Sequence, residues 1–107
     1  MNGDADELEG FEWDAAKSEA TLAQRGFDFE FAARVFAGNH IEREDLRRNY
    51  GERRYAVTGE VDDRVITVVW TPRGRRRRIV SAWLASNRER REYHEHRQTI
   101  ERGDANG

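Results

Sequence analysis

PRGRRRRIVSAWLASNRERREY, residues 72–93, passes from a strand pattern to a helix pattern and carries a dense run of positive charge. Arginine occupies five of the six positions from Arg73 to Arg78, all on or beside the strand Arg76–Leu84. Ser86 and Glu89 then form an S-x-x-E capping box, which predicts the start of a helix. Because guanidinium groups stay ionised and pair bidentately with phosphate, this last strand of a small sheet is a candidate polyanion-binding edge.

Two further strands are predicted upstream of this stretch. Arg54–Glu60 alternates between two faces, and Val65–Thr71 is a nearly continuous β-branched and aromatic run, which is typical of a central strand. Residues 61–64 and 72–74 supply the turns. Three consecutive strands with short connections predict an antiparallel meander. The polar residues 39–51 before them predict a loop or an irregular edge strand.

The N-terminal part predicts one short strand and two short helices. Phe11–Trp13 is aromatic and fits an edge strand. Asp14 is a candidate N-cap for a helix that ends at Gly26, where a left-handed residue is expected. Asp28 is the candidate N-cap of a second helix that ends at Gly38.

These elements predict an α+β fold, with a small antiparallel sheet, two N-terminal helices and one C-terminal helix. The chain of 107 residues fits one domain. We expect that domain to span residues 11–102, between a disordered acidic N-terminus at residues 1–10 and a disordered tail at residues 103–107.

Charge is distributed unevenly along the chain. Residues 1–46 contain 12 acidic and 4 basic residues, whereas residues 47–107 contain 15 basic and 9 acidic residues. The net charge of -2 is therefore the sum of an acidic first part and a basic second part. Such a chain can bind an anion on one side while the whole protein stays acidic. The sequence has no cysteine and no apolar run as long as a membrane span. We therefore expect a cytoplasmic protein without disulfide bonds.

Five segments, taken in order, resemble the BrnT family of bacterial type II toxins. They are FEWDxxK at 11–17, GxxFxxAxxVF at 26–36, GERRYAVTG at 51–59, RIVSA at 78–82 and ERREY at 89–93. The resemblance implies a compact RelE-like ribonuclease that uses no cofactor. It also implies a partner, a BrnA-like antitoxin with a ribbon-helix-helix DNA-binding part, and a heterotetramer in which only the antitoxin binds DNA.

RNA cleavage without a metal requires groups for three tasks. The 2′-hydroxyl must lose a proton, the phosphorane charge must be stabilised, and the leaving 5′-oxygen must gain a proton. Arg54 and Arg78 match basic positions of the family motifs and are candidates for charge stabilisation. Glu52 and Glu89 are candidates for proton transfer, and Lys17 is a candidate acid or phosphate contact.

Four other residues are predicted to bind RNA: Arg25, Arg76, Trp83 and Arg88. Two of them mark departures from the family pattern. Gln24-Arg25-Gly26 stands where the family usually has Lys-His-Gly, and Trp83 stands where it usually has a basic residue. A guanidinium is a poor proton shuttle compared with imidazole, whereas Trp83 could stack on a base. His40, His94 and His96 do not have the spacing of a metal site, and none is predicted.

Two alternatives to a ribonuclease toxin remain open at the level of sequence. One is a catalytically weakened family member that binds the antitoxin and modulates repression of the shared operon. The other is a small nucleic-acid-binding module without chemistry. The arginine strand also fits a solvated or partner-facing surface, because arginine is common at protein interfaces.

Overall fold

The computed structural model describes the backbone of residues 9–106 and the side chains of residues 9–99. It has an α+β fold, as predicted, with one five-stranded sheet and three α-helices. The elements are β1 Phe11–Trp13, α1 Ala15–Arg25, α2 Phe29–Ala33, a 3₁₀ turn Arg34–Ala37, β2 His40–Glu44, β3 Tyr55–Val61, β4 Arg64–Arg73, β5 Arg76–Leu84 and α3 Asn87–Asn106.

Two predicted terminal segments fall mainly outside this description. Residues 1–8 of the predicted acidic N-terminus and residue 107 lie outside the described residues. Residues 103–106 are described by their backbone alone, as the end of α3. Disorder at either end therefore stays a prediction.

The sheet is mixed, so the prediction of a purely antiparallel sheet is wrong. Its strand order is β1-β5-β4-β3-β2. The meander β3-β4-β5 and the edge strand β2 pair in antiparallel fashion, but β1 runs parallel to β5, with Glu12 opposite Arg78. The arginine-rich strand is consequently internal rather than an edge. Side-chain alternation reports which face a residue occupies but not the direction of the neighbouring strand, so the sequence pattern could not reveal this pairing.

The turns and helix ends follow the local sequence signals. Asp62 and Asp63, with φ of 49° and 67°, form a two-residue hairpin loop between the paired residues Val61 and Arg64. The Asp14 carboxylate accepts a hydrogen bond of 2.8 Å from the N–H of Ala16 at the start of α1. Both observations confirm predictions from the sequence, namely the β3–β4 turn and the start of α1 at Asp14.

The second predicted helix is shorter than expected and continues as the 3₁₀ turn. Asp28 caps it by accepting a hydrogen bond of 2.9 Å from the N–H of Phe31. The N–H of Phe29 donates to the Ser18 hydroxyl at 2.9 Å. This buried contact fixes α2 against α1.

The two faces of the sheet are covered differently. One face packs against α1 and α2 around the fully buried Phe29, Val57, Ile66 and Val68. The other face is covered in part by α3, where Tyr93 is 1% exposed and Glu89 accepts hydrogen bonds from Thr67 of β4 and Trp83 of β5. Thr71 near the end of β4 is also buried on this face, against the segment before β3, whereas the neighbouring Arg78 of β5 is 32% exposed.

Gly59 in β3 is expected to tolerate no side chain. A Cβ atom there would lie 2.7 Å from the Asn39 carbonyl oxygen and 2.8 Å from side-chain carbons of His40 and Val35. Gly59→Ala should therefore lower the free energy of unfolding by about 1–3 kcal/mol through overpacking. Urea denaturation measures the effect. Gly38→Ala is the matched control because a Cβ there would meet only the Glu60 carbonyl oxygen, at 3.9 Å. Equal stability of the two variants would contradict this account.

Candidate active site

Arg78 lies in a row of polar side chains that crosses three strands. It is paired with Glu12 of β1 on one side and with Thr71 of β4 on the other. Its Nη1 donates to Glu12 Oε2 at 2.9 Å. The Arg78 and Glu12 side chains are 32% and 27% exposed. The guanidinium is thus held in place and still open to a ligand.

A shallow cleft of about 150 Å³ opens over this row. Arg78 forms part of its wall together with residues from α1, from the segment before β3 and from the end of β4. We call it the Arg54–Arg78 cleft, and its lining residues are Asp14, Lys17, Glu52, Arg54, Thr71, Arg73, Arg78, Ile79 and Val80. Four of these residues are cationic and two are anionic, so the lining favours an anion.

Arg54 enters the cleft from the segment that precedes β3. Its Nε donates to Glu52 Oε2 at 3.0 Å, and its guanidinium lies 4.2 Å from the centroid of the Tyr50 ring. Arg73 Nη2 approaches the other Glu52 oxygen at 3.9 Å. Glu52 therefore lies between two guanidinium groups of the cleft.

Asp45 holds Arg54 and Tyr50 in position through hydrogen bonds. Its side chain is only 2% exposed, and its carboxylate accepts hydrogen bonds from Arg47 and, at 3.1 Å, from the Tyr50 hydroxyl. The N–H of Asp45 donates to the Arg54 carbonyl oxygen at 2.7 Å. Hydrogen bonding to Arg47, foremost, and to Tyr50 lowers the pKa of Asp45 from 3.8 to about 2 against the opposing effect of burial. Asp45 thus fixes both the Tyr50 ring and the backbone of Arg54.

Asp45→Asn should flatten the acid dependence of stability. Because the folded-state pKa of Asp45 is below its unfolded value, its contribution is complete above about pH 4 and is lost as the pH falls toward 2. The contribution amounts to at most about 2 kcal/mol. Urea titrations across this pH range should show a smaller change for Asp45→Asn than for the parent. Asp62→Asn, in an exposed ion pair with Arg34, is the control and should keep the parent profile. A parent-like profile for Asp45→Asn would contradict the role given to Asp45.

Comparison with known proteins identifies the family. A model described as "Ribonuclease toxin, BrnT, of type II toxin-antitoxin system" matches residues 13–89. The chain belongs to the BrnT family. A BrnT toxin of a type II system has an antitoxin partner, so the sequence-based assignment to toxins of this class is confirmed. The BrnT match includes Lys17, Glu52, Arg54 and Arg78, whereas Glu12 precedes it.

A solved structure supports the BrnT fold. The crystal structure of the Brucella abortus ribonuclease toxin BrnT aligns with a TM-score of 0.52 and 22% sequence identity, and the alignment covers 75% of this chain and 100% of that one. None of the curated proteins compared matches the chain. At this level of identity the likeness to the Brucella protein concerns the fold.

The structure brings together four of the five residues predicted to carry the chemistry of this BrnT chain. Lys17, Glu52, Arg54 and Arg78 all line the Arg54–Arg78 cleft. Glu89 does not. It lies at the start of α3, where its Oε1 accepts from the N–H of Ser86 at 2.8 Å.

Glu89 is held by several donors besides the capping box. Its Oε1 also accepts hydrogen bonds from the Trp83 indole and the Thr67 hydroxyl, both at 3.1 Å, and its Oε2 lies 3.7 Å from Arg43. Burial raises the pKa of Glu89, but these donors together with the Ser86 N–H outweigh it, so the pKa is lower than usual. The capping box predicted from sequence is confirmed, and its carboxylate joins α3 to the sheet.

The residues predicted to bind RNA are dispersed. Trp83 and Arg88 lie near Glu89, and the Trp83 ring is stacked with the Arg47 guanidinium at 5.6 Å. Arg25 is exposed at the end of α1, and Arg76 is exposed at the start of β5. None of the four lines the Arg54–Arg78 cleft.

Several residues of this site were not selected from the sequence. Glu12, Tyr50 and Asp45 act on Arg78 or Arg54, and Thr71 and Arg73 line the cleft. Glu12 lies within the FEWD segment, which was the available signal, but only the parallel β1–β5 pairing places it beside Arg78. Asp45 and Tyr50 gave no signal because a polar loop sequence does not reveal which of its carboxylates is buried.

The described part of the chain lacks two kinds of feature. No group of three or more His, Cys, Asp or Glu side chains there could hold a metal ion. No helix in the same part is long and apolar enough to cross a membrane.

Proposed function

We propose that this BrnT chain is a metal-independent endoribonuclease that cleaves RNA in the Arg54–Arg78 cleft. The observation that carries the proposal is the convergence of two arginines, a glutamate and a lysine on one open cleft in a chain of a ribonuclease toxin family. Cleavage would inhibit translation and growth, in the cytoplasm. The proposal includes a RelE-like arrangement of the active site on the sheet.

Arg54 and Arg78 suit stabilisation of a phosphorane. Each is part of a partly buried ion pair, Arg54 with Glu52 and Arg78 with Glu12, so both guanidinium groups are oriented before a ligand arrives. Charge that develops on the phosphoryl oxygens would be met by donors that need little reorganisation. Arg73 supplies a further cation at the mouth of the cleft.

Proton transfer is assigned to Glu52 and Lys17. Glu52 is a carboxylate next to a phosphate-binding arginine, which is a suitable position for accepting the proton of a 2′-hydroxyl. Lys17 enters from α1, on the side of the cleft that belongs to β5 and α1, and can donate a proton to the leaving 5′-oxygen or bind the scissile phosphate. Glu89 is not used, because its carboxylate is hydrogen-bonded away from the cleft.

The antitoxin is proposed to be BrnA-like, with a ribbon-helix-helix part that binds DNA. It would cover the sheet face around Arg78 and dimerise through its own DNA-binding part, which gives a heterotetramer. Arginine-rich, partly buried surfaces are common in protein interfaces. Light-scattering mass measurement of the co-expressed complex tests the stoichiometry, and a stable one-to-one heterodimer would contradict it.

Cleavage of labelled RNA by the purified protein in the presence of chelator tests the enzymatic proposal. We expect products that end in a 2′,3′-cyclic phosphate, because attack by the 2′-hydroxyl expels the 5′-oxygen and leaves this ring. Failure to cleave at any protein concentration, or cleavage that requires an added divalent ion, would refute it.

A second candidate function is antitoxin binding without turnover, and it is favoured by Arg25. Arg25 stands where the family usually carries a histidine, and a guanidinium does not shuttle protons near neutral pH. Expression in growing cells separates the candidates. Growth arrest that Arg78→Ala abolishes supports the ribonuclease, whereas a folded, non-toxic protein that binds antitoxin supports the second. A protein that binds nucleic acid and no antitoxin would contradict both.

A further inference from the structure

The hairpin between β4 and β5 carries an exposed cluster of cations beside the cleft. We call Arg73, Gly74, Arg75 and Arg76 the basic turn. The Arg73 and Arg75 side chains are 53% and 63% exposed, and Arg76 is also exposed. Arg73 belongs at the same time to the lining of the Arg54–Arg78 cleft. Anything that covers the basic turn therefore also restricts entry to the cleft.

The N-terminal segment of the chain is attached to this turn. β1 pairs with β5, and the pairing continues backwards beyond β1, because the N–H of Arg77 donates to the Gly10 carbonyl oxygen at 3.1 Å. The N–H of Glu9 then donates to the Arg75 carbonyl oxygen. In addition, Glu9 Oε2 lies 3.3 Å from Arg75 Nη2. The chain thus reaches the basic turn with an acidic side chain already paired there.

The residues before Glu9 continue this negative charge. Asp4, Asp6 and Glu7 precede it, and residues 1–10 contain neither lysine nor arginine. Eight residues span up to roughly 26 Å when extended, which is enough to reach any part of a four-residue turn from Glu9. Attachment at Glu9 also gives the segment an effective concentration on the order of millimolar at the turn.

We propose that the basic turn is a docking surface for this chain's own acidic N-terminal segment, residues 2–8, which competes there with the phosphates of RNA. The proposal rests on charge complementarity, on the short tether and on the Glu9–Arg75 ion pair. Its consequence for RNA rests on the proposed function, whereas docking itself does not. The contact is electrostatic and exposed, so it weakens as salt is added.

Docking is testable without RNA because the sequence has no cysteine. A nitroxide attached to Gly3→Cys should broaden the amide NMR signals of Arg73, Gly74 and Arg75. It should leave those of Asp62 and Asp63, in the hairpin at the other end of β4, unaffected. About 1 M salt should reduce the broadening to the level that the tether at Glu9 alone produces, since the Debye length is then roughly 3 Å. Broadening that is no stronger at low salt than at about 1 M salt would overturn the proposal.

The competition is tested with a 2′-O-methyl oligoribonucleotide, which lacks the free 2′-hydroxyl and cannot be cleaved by it. The variant Asp4→Asn/Asp6→Asn/Glu7→Gln should bind it about three- to tenfold more tightly than the parent at low salt, and the difference should shrink as salt rises.

The matched control is Glu19→Gln/Glu30→Gln/Glu95→Gln, which removes the same total charge from exposed positions on the three helices. If the two triple variants gain the same affinity for the oligonucleotide, the gain comes from net charge alone and the proposed competition is refuted. If no protein binds the oligonucleotide while the nitroxide still broadens the basic turn, RNA binding by the cleft is refuted and docking stands.

Discussion

Replacing Arg78 with alanine is expected to slow RNA cleavage by about 100- to 1,000-fold, the range for loss of one preorganised donor to a developing charge. Glu12, on a neighbouring strand, orients the Arg78 guanidinium by accepting a hydrogen bond of 2.9 Å from it. Initial rates with a labelled RNA in chelator measure the effect. Circular dichroism and urea denaturation check that the variant is folded.

Two further substitutions test whether the loss of rate is specific to the guanidinium of Arg78. Arg78→Lys keeps the charge but loses the planar fork that matches phosphate, so its rate should lie between those of the parent and Arg78→Ala. Arg91→Ala removes an equally charged but exposed side chain of α3 and should leave the rate unchanged. A folded Arg78→Ala protein that cleaves at the parent rate would remove the cleft from consideration as the active site.

Replacing Phe29 with alanine is expected to lower the free energy of unfolding by about 3–5 kcal/mol, as for other large-to-small changes of core aromatic residues. Phe29 has no exposed surface and packs edge-on against Trp13, with ring centroids 6.5 Å apart. Its N–H also joins α2 to Ser18 of α1. The cavity would thus open where β1, α1 and α2 meet.

Small domains have free energies of unfolding of about 5–15 kcal/mol, so Phe29→Ala should lose a large part of this stability. Its urea midpoint and its melting temperature should both fall markedly. Phe29→Leu keeps most of the volume and should lose much less. Similar losses for the two variants would contradict this account, because they would mean that the ring contacts of Phe29, and not its buried volume, supply its contribution.

The sequence by itself determined the secondary structure through local signals. Asp14 and Asp28 cap α1 and α2, Ser86 and Glu89 cap α3, and Asp62-Asp63 forms the β3–β4 turn, because caps and turns depend on residues a few positions apart. The central position of β4 also followed from its apolar run. The family motifs likewise pointed to Arg54 and Arg78, which meet in one cleft with the candidates Lys17 and Glu52.

Only the tertiary structure decided what surrounds these residues. Glu12 reaches Arg78 because β1 pairs in parallel with β5, although the two residues are 66 positions apart. Glu89 and Glu52 are both acidic residues within polar sequence, yet Glu89 is hydrogen-bonded to the sheet from the first turn of α3, whereas Glu52 lies in the cleft. Strand direction and burial arise from contacts between segments that are distant in sequence, so neither can be predicted from side-chain alternation.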